Sequence, residues 1–188
     1  MGFDGIGRSS LMARDGDSAT NMVSCPGCGM TAPATGGMLP AERGASAECW
    51  ERYGELLARS YSIEAYRSVH QLAVDAYIAQ HPAGMTRREI QTVALCLMTL
   101  CLFVENDVDP QEGSALHKRM VANRPRFRWL APPPLHGLTT VIDVLSASNA
   151  AEHERLVWTW GRDVWQAWAP HHSTIREWNV LVFPTGSY

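Results

Sequence analysis

The sequence predicts an all-α protein: a single-domain bundle of about six or seven helices with an N-terminal Cys-x-x-Cys metal-binding loop. Three observations point there. Helix-start signals recur along the chain, apolar residues repeat at helical spacing, and one segment, Val93 to Val104, is apolar almost all round, as the central helix of a bundle would be. Thr86-Arg-Arg-Glu89, Asp109-Pro-Gln-Glu112 and Asn149-Ala-Ala-Glu152 each place an acceptor at the N-cap and a carboxylate three residues on, where it can reach back to the cap. Thr140-Val-Ile-Asp143 repeats the pattern, and Ser46 and Ser62 read as plain caps before Glu48 and Glu64.

Taken in order, the expected helices are 46–60, 62–81, 86–106, 109–123, 139–147, 149–169 and 170–180, with no competing strand pattern. Cys49, Tyr53, Leu56 and Leu57 form the buried stripe of the first; Tyr66, Val69, Ala73, Ala76 and Tyr77 form that of the second. Arg124 to Pro134 contains four prolines and is expected to cross the bundle as an extended segment anchored by Phe127 and Trp129. Trp158, Trp165 and Trp168 share one face of a late helix, with Trp160 off that face and partly exposed. The domain is expected to run from 25 to 180, after a flexible Gly/Ser/Asp-rich lead, 1–24, and before a tail, 181–188.

The chain has 188 residues, 46% hydrophobic and 19% charged, enough for one sizeable core. The formal charge is −3, and Arg124, Arg126 and Arg128, interleaved with Pro125, Phe127 and Trp129, are too few to make a nucleic-acid footprint. A membrane span needs about 20 apolar residues, more than Val93 to Val104 supplies, so no membrane partner is expected. Five cysteines with one Cys-x-x-Cys argue against a fully paired disulfide framework and for a reduced, cytoplasmic compartment.

Cys25-Pro-Gly-Cys28-Gly29 is the sharpest local signal: the turn lets two thiolates reach one ion while backbone N–H groups point at the sulfurs. Zinc is the natural cofactor for such a set. Cys49, after a gap in the range used by zinc ribbons, is the third expected ligand, but no fourth cysteine follows it closely. If the first two helices turn near Tyr61, the residue level with Cys49 is close to Ala73, which brings His70 and Asp75 within about one turn. His81 lies about 16 Å along the axis from His70, so one helix cannot present both to one ion. His171 and His172, after Pro170, offer a further pair and are the histidines placed in the expected metal set with Cys25, Cys28 and Cys49. Cys96 and Cys101 sit in the most apolar helix and read as core.

These residues also carry a resemblance. Cys25-Pro-Gly-Cys28-Gly29, Glu48-Cys49-Trp50, the stretch from Tyr66 through Val69-His70, Asp75 and Tyr77 to Gln80-His81-Pro82, and Trp168-Ala-Pro-His171-His172 together resemble an uncharacterised bacterial family, domain of unknown function 5946, over about residues 24 to 180. The resemblance implies that Cys25, Cys28, Cys49, His70, Asp75, His81, His171 and His172 occupy family motif positions, and it implies no substrate. The expected function is a zinc-binding helical domain that binds a small molecule or protein partner. The alternative is a zinc-dependent hydrolase or lyase with an open metal position, its acid–base candidates being His70, Asp75, His81, His171 and His172. A thiol redox protein is the third reading. Tryptophans exposed on the late helices would serve a homo-oligomer face or ordinary core.

Overall fold

The computed structural model describes residues 21–38, 44–123 and 125–184. Most of the expected lead (residues 1–20), the tail residues 185–188 and Arg124 lie outside the described residues. Seven α-helices are present among the described residues: α1 (Ala47–Ser62), α2 (His70–Gln80), α3 (Arg87–Asn106), α4 (Gly113–Ala122), α5 (Val141–Leu145), α6 (Ala150–Ala167) and α7 (His172–Val182). The bundle is all-α apart from two three-residue strands, β1 (Met22–Ser24) and β2 (Thr31–Pro33), paired antiparallel with Val23 opposite Ala32.

Those strands correct the expectation of no strand and of a flexible lead reaching residue 24. They are too short to show alternation, and the Cys-x-x-Cys turn between them creates the pairing. Cys25 N donates to Met30 O at 2.8 Å and Gly29 N to Cys25 O at 2.9 Å, with Gly29 at φ +77°, a conformation that suits glycine.

The caps behave as their chemistry dictates. Thr86 and Glu89 form a reciprocal capping box at α3, and Thr140 and Asp143 form one at α5. Asn149 accepts from Glu152 N, but Glu152 turns its carboxylate to Ser148 instead of completing the box. Asp109 caps a 3-10 turn, Pro110–Glu112, that leads into α4. The expected second helix is interrupted in the same way: Glu64–Val69 is 3-10, and only from His70 is the chain α-helical.

Helix α3 occupies the centre, packed by α2, α4, α6 and α7, with Val93 to Phe103 continuously buried. Among the described residues it is the one helix long and apolar enough to cross a membrane, and 61% of that window is buried inside the bundle. Its carboxy-terminal Glu105 holds α7 and α6 through a two-bonded contact with Arg176 at 2.8 Å each and a bond from Trp165 Nε1 at 3.0 Å.

Against expectation Trp160 is fully buried, whereas Trp158 is only partly so. The buried stripe of α6 runs through His153, Val157, Trp160, Gly161 and Val164, because Gly161 lets the helix approach Leu72 of α2. Trp160 Nε1 then donates to Gln80 Oε1 at 2.8 Å, Gln80 Nε2 to Thr139 O at 3.1 Å, and Trp168 Nε1 to Ala79 O at 3.2 Å. Buried indole N–H groups thus find their partners at the end of α2.

Candidate metal centre

The end of α2 is where the chemistry gathers. His81 follows α2 directly and is 2% exposed, while Cys25, Cys28 and Cys49 are at most equally exposed. The Sγ atoms of the three cysteines and a ring nitrogen of His81 lie within 4.8 Å of one another, a grouping that could hold a metal ion.

Each donor is positioned by a separate local device. Cys25 and Cys28 flank the tight turn of the β1–β2 hairpin. Cys49 is the third residue of α1, whose N-cap Ser46 accepts from Cys49 N at 3.2 Å. Its sulfur therefore lies at the positive end of a helix dipole, which favours a thiolate. Ser46 N donates to Cys25 Sγ at 3.4 Å, and Tyr77 O–H donates to Cys49 Sγ at 3.7 Å. His81 Nδ1 lies 2.7 Å from Tyr77 O; since a carbonyl only accepts, Nδ1 carries a proton, which leaves Nε2 as the nitrogen that would ligate an ion. Nε2 is 3.4 Å from Cys49 Sγ, and Cys49 Sγ is 3.8 Å from Cys28 Sγ.

The chain closes tightly over this group. A Cβ on Gly27 would stand 2.5 Å from the His81 ring and 2.6 Å from Gly44 O, and one on Gly44 would stand 2.5 Å from Pro82 O. His136 caps the turn from outside, its Nε2 donating to Pro26 O at 2.9 Å. Glu48 Oε1 accepts from Thr35 N at 3.1 Å and ties the hairpin's far end to α1. Tyr77 stacks on Tyr53 at 3.8 Å and packs beside His81 at 4.1 Å, forming the aromatic floor.

Three sulfurs this close cannot all ionise without a cation. The Cys28 and Cys49 thiols hydrogen-bond to the Cys25 sulfur and hold its pKa well below the usual thiol range. The same contact pushes Cys28 up to about 11 and Cys49 higher still, burial adding to both. Burial and the neighbouring Cys49 likewise push the Tyr77 phenol up, so it stays a donor. The donor set fits a divalent ion that would replace the remaining protons.

Of the residues expected from sequence, Cys25, Cys28 and Cys49 come together, and the imidazole beside them is His81. His171 and His172 are not in the group: His171 Nε2 donates to Ala131 O at 2.8 Å, while His172 stacks on Trp165 at 3.7 Å and donates through Nε2 to Trp165 O at 2.8 Å. His172 thus ties α7 to α6, and His171 ties the junction between them to the segment that precedes α5. His70 lies elsewhere as well, its Nδ1 2.8 Å from Ser60 Oγ. Asp75 is fully buried among Gln71, Thr99 and His117. The second helix is not the uninterrupted α-helix expected: α1 runs to Ser62, the chain turns at extended Ile63, and Glu64–Val69 is 3-10, so the level of each residue against Cys49 differs from the one a turn near Tyr61 into a single α-helix gives. His117 and His136 carried no sequence signal, since neither lies in a local ligand spacing.

No curated protein and no solved structure matches the chain. One family model does match, over residues 23–169, a span that holds all four donors and stops short of His171 and His172. By that match the chain belongs to the Family of unknown function (DUF5946).

Proposed function

We propose that this is a zinc-binding helical domain of a reduced, cytoplasmic compartment. In this reading the ion is structural, and a small molecule or protein partner binds elsewhere on the bundle. The observation that carries the reading is the donor geometry. A zinc tetrahedron with Zn–S of about 2.3 Å and Zn–N of about 2.0 Å has S···S edges of about 3.8 Å and S···N edges of about 3.5 Å. The separations here are 3.8 Å for Cys28 to Cys49 and 3.4 Å for Cys49 to His81. Three thiolates and a neutral imidazole around Zn²⁺ leave one negative charge, offset by the α1 dipole and the Ser46 N–H.

With four protein donors this centre keeps no position for a substrate or an activated water, which disfavours a hydrolase or lyase at this ion. A redox dithiol is disfavoured by the convergence of Cys49 and His81 on the same two sulfurs. The space for a ligand is a cleft of about 580 Å³ along α1 and α2, lined by Tyr53, Tyr61, Arg67, His70, Gln71 and Ser114 among others.

Elemental analysis tests the ion. The cysteine-rich centre is expected to contribute about one zinc per chain in the wild type and in a His171→Ala, His172→Ala double variant, and His81→Ala or Cys28→Ser is expected to hold about one zinc fewer than the wild type. A zinc equivalent lost with the His171/His172 pair, together with a wild-type zinc content in His81→Ala, would overturn the assignment.

A further inference from the structure

A second set of donors lies deeper in the bundle, where α2, α3 and α4 meet. Asp75, Cys96 and His117 each offer one ligand atom, and the three atoms lie within 4.8 Å of one another. They come from three helices. Asp75 and Cys96 are buried, at 0% and 1% exposure, while the His117 side chain is 26% exposed.

The contacts around Asp75 are uneven. Thr99 Oγ1 donates to Oδ2 at 2.6 Å and Gln71 Nε2 to Oδ1 at 3.0 Å, both ordinary lengths. His117 Nε2, in contrast, stands 3.3 Å from Oδ1 and 3.3 Å from Thr99 Oγ1. A charge-assisted N–H···O bond between imidazolium and carboxylate closes to about 2.7–2.9 Å. The wider separation matches the O···N edge of a tetrahedron built with metal–oxygen and metal–nitrogen bonds of about 2.0 Å, which is about 3.3 Å.

We propose that Asp75, Cys96 and His117 form a second site for a divalent transition-metal ion such as zinc. This site is independent of the cysteine-rich centre. Binding transfers the Cys96 thiol proton to solvent, places the His117 proton on Nδ1 and leaves Nε2 to ligate. Carboxylate and thiolate then balance the two positive charges, so the complex is neutral, which suits burial. Thr99 and Gln71 keep their bonds to the carboxylate and orient it. Three protein donors leave a fourth position, on the side where His117 reaches solvent, for water or a small ligand. The first centre has no such position.

The test is Co²⁺ titration of the chelator-stripped full-length protein, followed by absorption and by metal content after desalting. The wild type is expected to take about two equivalents per chain, one with the strong thiolate-to-cobalt charge transfer of a three-sulfur site and one with the weaker band of a single thiolate. His117→Gln keeps an amide donor toward Asp75 and is expected to lose the second equivalent alone. Cys96→Ser should lose its charge-transfer band while the three-sulfur spectrum persists, which also reports that each variant is folded. A wild type that binds one equivalent, unchanged in both variants, would overturn the proposal, as would a second equivalent that neither substitution alters. A single equivalent that depends on His117, with the three-sulfur spectrum missing, would overturn the cysteine-rich centre and leave this one standing.

Discussion

Gly27 shows how narrow the tolerances around the candidate centre are. The neighbours of a Cβ there are the His81 ring at 2.5 Å and two backbone oxygens, so a methyl group must push away either a donor or the chain that closes over it. Gly27→Ala is expected to weaken metal binding at least tenfold in a competition titration with a chromogenic chelator, although no donor has been removed; unchanged affinity would argue against the close packing. His153 gives a residue-scale prediction of a different kind. It is 1% exposed, its Nδ1 has no hydrogen-bond partner among the described residues, and burial, helped by Arg59, pushes its pKa down to about 4. The unfolded chain takes up a proton near pH 6.5. Stability supplied by the neutral form is therefore complete above pH 6.5 and lost as pH falls toward 4, by on the order of 3 kcal/mol. His153→Leu should flatten this slope in urea titrations at successive pH values, and a difference from wild type that stays constant with pH would refute the assignment. At this scale the cysteines were legible, because Cys-x-x-Cys-Gly is a local pattern whose geometry the turn dictates. His81 was legible as a motif position and acid–base candidate but not as a ligand, because its distance from Cys49 depends on where the hairpin turns.

Among the elements, caps and stripes carried most of the legible information. Thr86 and Thr140 start α3 and α5 with their boxes, and the apolar run of α3 is at the centre. The departures have a common physical origin. A 3-10 turn uses the same residue types as an α-helix, so Glu64–Val69 and Pro110–Glu112 read as helix in sequence. The strands are pairings imposed by a turn, with no pattern of their own. Trp160 reads as off-face until Gly161 is seen to set the line of approach between α6 and α2, where its Cβ position lies 2.6 Å from Leu72 Cδ1. Gly161→Val is accordingly expected to cost about 1–3 kcal/mol by overpacking, whatever helix propensity it gains. Thr86→Ala should cost about 1 kcal/mol by uncapping α3. Both are read from denaturant midpoints at constant slope, and a neutral Gly161→Val would mean that the two helices are free to separate.

For the whole molecule, the candidate ion joins the hairpin, α1 and the end of α2, while α3, α6 and α7 pack on one another without it. Chelation at neutral pH should leave the helical circular dichroism largely intact, lower the melting temperature by more than about 5 °C and make the β1–β2 hairpin susceptible to proteases. An unchanged melting curve after verified metal removal would show that the centre does not hold the fold together. The order of residues along the chain adds a consequence in time. All four donors fall within the first 81 residues, whereas the indoles that clamp the end of α2 belong to Trp160 and Trp168. On the ribosome the nascent chain offers a full set of ligands well before the helix that braces the last of them has been made. If the centre takes up its ion, capture can therefore precede closure of the bundle, and α6, arriving late, would be the latch that slows the ion's escape.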